Sequence, residues 1–204
     1  MPMKLYDTEG APNPRRVRIF LAEKGIDVPR EQVNLMRAEH KRDAFRAINP
    51  MQRTPVLLLD DGTVLAESVA ICRYFDELKP EPPLFGEGIL GRALVEMWQR
   101  RIEWHLLIPV LMAFRHGHRA MRELEQPQIP EVAEKGKINA LEFMTYLDSE
   151  LTERPFIAGD NYSIADITAL VAIDFLKPAS IAMPELTNLR RWHGAVSRRP
   201  SAVP

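Results

Sequence analysis

Glu67 and Ser68 stand side by side where an apolar helical pattern begins. A carboxylate in that place can take an ammonium. A hydroxyl beside the free N–H groups of a helix N-terminus can take a carboxylate. Upstream, Thr54-Pro55 opens the short apolar run Val56-Leu57-Leu58-Leu59, which suits a strand buried on both faces. Pro55 removes one ladder donor, and the first position of a strand tolerates that loss. An X-Pro bond is also the one common place for a cis peptide. Asp61-Gly62 then turns the chain and Thr63 to Leu65 returns as the antiparallel partner. The plain alternative is an ordinary hairpin followed by a Ser-capped helix.

The first loop, Asp7 to Pro12, is the other place where chemistry can sit. Asn13-Pro14 after it reads as a helix start, with Asn as N-cap and Pro at the first helical position. Thr8, Asn13 and the N–H groups of that helix start are the loop's resources. Tyr6 lies in a short strand just before it, and strand alternation can point its ring to either side. Cys72, the one cysteine, falls mid-helix on the apolar side with no C-x-x-C around it, and reads as a buried structural thiol. His105, His116 and His118 lie on a long helix, where a polar helix end explains the last two equally well.

The elements that must position these residues follow from pattern. Met3 to Tyr6 and Val28 to Leu35 read as strands around a helix stopped by Gly25. A short polar helix from about Lys41 to Ile48 is broken by Asn49-Pro50. After the hairpin, a helix from Glu67 to about Lys79 turns Val69, Cys72, Tyr74 or Phe75, and Leu78 inward. The order β-α-β-α-β-β-α makes a small α/β unit with one parallel crossover. The stiff stretch Lys79-Pro80-Glu81-Pro82-Pro83 ends it. Everything beyond is helical. An apolar stripe runs through Leu94, Met97 or Trp98, Trp104, Ile108, Leu111 and Met112, with a kink expected at Pro109. Ile138, Leu141, Met144, Leu147 and Leu151 mark the next helix. Ser163-Ile164-Ala165-Asp166 is a capping box with Tyr162 and Ile167 as its hydrophobic staple. The helix it opens is apolar nearly all round and should be central. A last helix, Pro184 to Arg199, turns Leu186, Leu189, Trp192 and Val196 inward.

Length and composition set bounds. A chain of 204 residues with 46% hydrophobic and 27% charged residues can bury a real core as one large or two small domains. A net charge of −1 favours neither nucleic acid nor an anionic membrane as a partner. One cysteine excludes an intrachain disulfide framework and any Cys-based zinc cluster, so no metal is expected. The N-terminal residues have no signal-peptide apolar core and no run approaches a membrane span, which together read as a cytoplasmic protein.

Four motifs in order, Asn49-Pro50, Thr54-Pro55, Glu67-Ser68 and Ser163-Ile164-Ala165-Asp166, resemble those of cytosolic glutathione transferases. The resemblance covers essentially the whole chain. It implies a thioredoxin-like glutathione-binding domain over 1–79, a linker over 80–86 and an all-α domain over 87–204. It implies that Pro55 is cis and that the backbone of Thr54 pairs with the cysteinyl amide of glutathione. Glu67 and Ser68 would hold the γ-glutamyl group. His40 and Gln52 match positions that reach the glycine carboxylate, and Arg53 or Lys41 could do the same work. Tyr6-Asp7-Thr8 followed by Pro14-Arg15-Arg16-Val17-Arg18-Ile19 looks closest to a microbial and fungal subgroup lacking the usual Tyr, Ser or Cys in the first loop. Thiol activation then falls to Asn13 and Thr8, unless Asn13 is only an N-cap. Trp104, Ile108, Met112 and Arg115 line an electrophile pocket or belong to the core.

The function implied is conjugation of the glutathione thiolate to a small hydrophobic electrophile. Glutathione serves as co-substrate and the protein works as a homodimer. Two alternatives remain: a glutathione-dependent disulfide reductase or peroxidase, and a non-catalytic binding protein on the same fold.

Overall fold

The computed structural model describes residues 2–203. The chain divides between Pro82 and Pro83 into two compact units. The first carries the sheet: β1 (Lys4–Asp7), β2 (Arg30–Gln32), β3 (Val56–Leu58) and β4 (Val64–Ala66). They lie in the order β2-β1-β3-β4, with β1 and β2 parallel and the other neighbours antiparallel. Helices α1 (Pro12–Lys24), α2 (Asp43–Ile48) and α3 (Ser68–Leu78) complete the expected order. β2 is shorter than the 28–35 run predicts. Its three residues, Arg-Glu-Gln, form an exposed edge, and the buried Val28 and Val33 lie outside it.

Strand alternation splits the core in two. Tyr6, Val56 and Leu58 face one side and pack with Val33, Phe45 and Ile48. Leu5 and Leu57, paired across β1 and β3, face the other and are fully buried. α3 packs against β3 and β4, and α1 against α3. The buried face of α3 is Ser68, Ile71, Cys72 and Phe75; Cys72 and Phe75 point inward as predicted, whereas Val69 is half-buried and Leu78 is exposed.

α1 begins earlier than predicted. Its N-cap is Ala11 and its first residue Pro12, so Asn13 lies inside the first turn and caps nothing. Two prolines fit here because the leading N–H groups of a helix have no partner inside it. Gly25 closes α1 in the left-handed region at φ 57°, where glycine carries no Cβ penalty. Its N–H reaches Ala22 O, and Ile26 N–H reaches Leu21 O at 2.9 Å. One turn of that helix holds an unusual charge. The Lys24 side chain is fully buried, with its ammonium 2.5 Å from Asp76 of α3. It also donates to the carbonyls of Lys79 and Pro80, both at 2.9 Å, and of Pro82. The chain leaving α3 is thereby fastened to the end of α1.

The second unit is helical: α4 (Gly88–Ile102), α5 (Ile108–Gly117), α6 (Pro130–Glu150), α7 (Ile164–Asp174) and α8 (Thr187–Val196). The kink expected at Pro109 is a π-helical turn over Glu103–Leu107. Pro109 cannot donate to the carbonyl four residues back, and the wider turn absorbs the mismatch. The predicted stripe is core only in part. Trp98 is buried and Ile108, Leu111 and Met112 are half-buried, whereas Leu90, Leu94, Met97 and Trp104 are exposed; Val95, Ile102 and Leu106 complete the buried face. α4 is therefore apolar on two sides. α6 crosses α5 closely at Gly136, where a Cβ would come 2.6 Å from the Pro109 carbonyl oxygen. Met144, Leu147 and Leu151 point inward as expected, whereas Ile138 and Leu141 do not.

α7 is the centre of this unit, buried from Ile164 to Ile173. Asp166 fastens it. Its carboxylate accepts the Ser163 N–H and hydroxyl, both at 3.0 Å, the Ile157 N–H at 2.9 Å and the Trp192 indole N–H at 2.8 Å. The Ser163 contact is the backward arm of the predicted capping box. Tyr162, expected as the staple, lies edge-on to Phe156 with the Arg199 guanidinium 4.0 Å from its ring centre.

Candidate active site

The β3–β4 ladder brings the two candidate pairs together. Val56 is paired with Ala66, so Thr54-Pro55 enters the ladder where Glu67-Ser68 leaves it. The Thr54–Pro55 peptide is cis. Asn49 shapes the approach to it. Its side-chain amide donates to Arg53 O at 2.9 Å, its side-chain oxygen accepts Met51 N–H at 3.1 Å, and its carbonyl accepts Gln52 N–H at 2.9 Å. Gln52 sits at φ 54° in that turn, half-buried, with Arg53 exposed beside it. His40 is buried, folded inward on a single 3-10 turn.

Glu67, not Ser68, caps α3. Its carbonyl accepts Ile71 N–H at 3.0 Å, and its backbone stands at φ 68°, ψ 114°, which a non-glycine residue seldom adopts. The side chain remains exposed. Ser68 is buried at the first position of the helix, and its Oγ accepts a hydrogen bond from Arg16 Nη1 at 2.7 Å.

The first loop is held from within by Asp7, which has no exposure at all. Its carboxylate accepts Thr8 N–H at 2.9 Å, Arg18 Nη1 at 2.6 Å and Gln32 Nε2 at 3.0 Å. Thr8 is also buried. Its hydroxyl donates to Val33 O at 3.0 Å and lies 2.9 Å from the Thr54 hydroxyl. A threonine hydroxyl has one proton. With that proton on Val33, Thr8 accepts from Thr54 and joins the first loop to the cis-proline loop.

The start of α1 is poor in donors. Pro12 and Pro14 have no N–H, and Arg15 N–H is used by Ala11 O at 3.1 Å. The first turn therefore presents one main-chain donor, that of Asn13, where three are usual. Tyr6 is settled by its packing. Its ring lies edge-on to Phe45 at 5.9 Å within the core, so it takes no part in the loop.

Cys72 is fully buried one turn beyond Ser68. Burial pushes its thiol far above the ordinary range, and the nearby Arg16 charge offsets only part of that rise. A thiol so held stays protonated and unreactive. Cys72→Ala is expected to leave activity intact while costing about 1 kcal/mol of stability. Activity assays and urea unfolding check this, and a folded but inactive variant would contradict it.

In the second unit, Ile108, Met112 and Arg115 follow one another on one face of α5 and are half-buried. Trp104 lies in the π turn and is 60% exposed. Arg115 is ion-paired with Glu125 at 3.2 Å. His116 and His118 each accept a main-chain N–H on Nδ1, from Ile129 at 3.1 Å and Ala120 at 3.2 Å. That leaves each ring's Nε2 as its donor. His105 stacks on Phe143. Among the described residues, no cluster of His, Cys, Asp or Glu could hold a metal ion.

Asp7, Arg16 and Arg18 enter the sequence reading only as letters of the first-loop motif, with no role of their own, and Lys24 does not enter it. A signal was present. Arg16, Phe20 and Lys24 recur at i, i+4 and i+8, so two charges share the helix face of a buried phenylalanine.

Comparison with known proteins decides the family. Residues 5–83 match the model for the glutathione S-transferase N-terminal domain, and residues 104–200 match that for the C-terminal domain. Glutathione S-transferase 2 of Saccharomyces cerevisiae is 40% identical over 203 residues, covering 98% of this chain and 87% of that protein. The chain belongs to the glutathione S-transferase family. A glutathione S-transferase domain-containing protein of Marinobacter aquaeolei superposes with a TM-score of 0.94 at 42% identity, covering 97% of this chain and 98% of that one. Gtt2 of S. cerevisiae superposes with a TM-score of 0.93 at 40% identity, covering 97% of each. The fold is that of the glutathione transferases: a thioredoxin-like unit followed by an all-helical one. The protein is a transferase that uses glutathione, and its first loop carries no Tyr, Ser or Cys. Among the described residues, no helix is long and apolar enough to cross a membrane.

Proposed function

We propose that this transferase joins the thiolate of glutathione to small apolar electrophiles. The observation that carries the reading is the single ladder on which Thr54-cis-Pro55 and Glu67-Ser68 meet. The Thr54 backbone is assigned to the cysteinyl amide, Glu67 to the γ-glutamyl ammonium and Ser68 to its carboxylate. The glycine end falls to Gln52 and Arg53 ahead of His40, whose ring is buried. The electrophile is assigned to Ile108, Met112 and Arg115 of α5 with Trp104. Calorimetry with glutathione, followed by coupling to an aryl halide, tests the reading. Absence of glutathione binding would overturn it. A route through an enzyme mixed disulfide finds no cysteine in the first loop, and Cys72 is buried. We place the protein in the cytoplasm, where a lone cysteine stays reduced.

Activation of the thiol is assigned to Asn13. With prolines on both sides, its N–H and its side-chain amide are what the start of α1 has to offer an anion. Thr8, its proton committed to Val33, supports Thr54 instead. Asn13→Ala is expected to raise the pKa of bound glutathione by about one unit, equivalent to about 1.4 kcal/mol. Thiolate absorbance against pH reads this directly, and an unchanged titration clears Asn13.

The outward apolar side of α4 supports assembly. Leu90, Leu94 and Met97 are exposed along one line, with Leu90 at 71%. A second copy of the chain is the occupant proposed, since two-fold pairing is the commonest way to cover such a face. Light scattering at micromolar concentration should give twice the chain mass, and Leu90→Glu with Leu94→Glu should return it to the mass of one chain.

A further inference from the structure

We propose that Arg16 is a positioning residue for the γ-glutamyl carboxylate of glutathione, acting through Ser68. The proposal rests on the glutathione reading above and names a residue that reading does not use.

Arg16 lies in the second turn of α1 with its side chain 1% exposed. Its Nη1 donates to Ser68 Oγ at 2.7 Å. A guanidinium has donors only, so the serine oxygen is the acceptor in this bond. The serine proton must then point elsewhere. A lone serine at a helix start can turn its proton back onto a nearby carbonyl or leave it rotating. Here Arg16 occupies the oxygen from below and leaves the proton for a partner on the other side. Ser68 is also the first residue of α3, so the leading N–H groups of that helix converge with its hydroxyl. A carboxylate placed there meets donors already oriented, which removes part of the ordering cost of binding. The cation also polarises the hydroxyl toward donation.

The charge itself adds a second effect. The field of Arg16 reaches Cys72, one turn along the same buried face of α3. Positive charge therefore lies beneath the first turn of α3, while the Glu67 carboxylate stands exposed at its cap. An α-amino acid head group offers the matching pair, with its carboxylate toward Ser68 and its ammonium toward Glu67. The arrangement selects against peptides whose first residue lacks the α-carboxylate.

The test compares two peptides, glutathione and 4-aminobutyryl-cysteinylglycine, which keeps the ammonium and lacks that carboxylate. Arg16→Met should weaken glutathione about tenfold and leave the affinity for the 4-aminobutyryl peptide unchanged. In a Ser68→Ala background the same change should cost nothing more. Should Arg16→Met fail to fold, Arg16→Lys keeps the charge without the planar fork, and should weaken glutathione alone by about threefold. Equal weakening of both peptides would reduce Arg16 to a structural role and overturn the proposal, as would unchanged glutathione binding. Wild-type protein that binds neither peptide would instead overturn the underlying glutathione reading.

Discussion

Replacing Asp166 with alanine is expected to destabilise the protein by about 3–5 kcal/mol at pH 7, the cost of breaking a buried, multiply hydrogen-bonded charge. Four buried donors lose their acceptor at once: the N–H groups of Ile157 and Ser163, the Ser163 hydroxyl and the indole of Trp192. They come from a loop, a helix start and α8, so the loss loosens three elements around α7. The pH dependence has a definite sign. Burial raises the carboxyl from 3.8 to about 6 in the fold, with the hydrogen bonds pulling the other way. The folded chain thus keeps a proton that the unfolded chain has lost. Folding takes up that proton between about pH 4 and pH 6. The contribution of Asp166 is therefore fullest below pH 4 and falls by about 3 kcal/mol as pH rises through 6. Alanine has no such slope. The penalty measured by urea unfolding should be larger by about 2 kcal/mol at pH 4.5 than at pH 7. Equal penalties at the two pH values would show that Asp166 does not titrate in this range. A penalty below about 1 kcal/mol at pH 7 would show that the network does not hold the helix.

Glu67 should show the opposite balance, with function dominating. Its alanine variant leaves the ligand ammonium without its carboxylate, a loss of about 2–3 kcal/mol, or roughly 30- to 150-fold in Kd for glutathione. The backbone sharpens the test. At φ 68°, ψ 114° a side chain is strained by about 1–3 kcal/mol, and glycine is not. Glu67→Gly should therefore unfold no more easily than the native protein while binding glutathione as poorly as the alanine variant. Calorimetry and urea unfolding of both variants separate the two quantities. Native-like affinity in either would remove Glu67 from the site. A glycine variant less stable than the alanine one would show that the backbone there is unstrained.

Much of this was legible in the chain because local signals and tertiary roles agreed. Asp61-Gly62 marks the hairpin, Gly25 stops α1, and Ser163 to Asp166 opens a helix apolar on every side. Where a signal admits two structures, the reading slipped. Pro-Asn-Pro allows a helix to start at either proline, and the earlier one moved Asn13 from cap to first turn. α4 has two apolar sides, and periodicity does not say which of them its own chain covers. The site showed the same division. The acceptor and donor types at Thr54, Pro55, Glu67 and Ser68 are visible as letters. The charges behind them, Arg16 and Asp7, are not, because a buried ion is recognised by partners far away in sequence.

Lys24 carries one more consequence. Its amine is enclosed by the Asp76 carboxylate and by carbonyls of Lys79, Pro80 and Pro82. A surface lysine meets an acylating reagent within moments, whereas this one reacts only after the segment behind α3 has swung away from α1. Its labelling rate, followed by mass spectrometry beside that of exposed Lys41, is thus a clock for that opening in the native protein. The position needs no probe to be introduced, since the residue that closes the segment is also the one that reports when it opens.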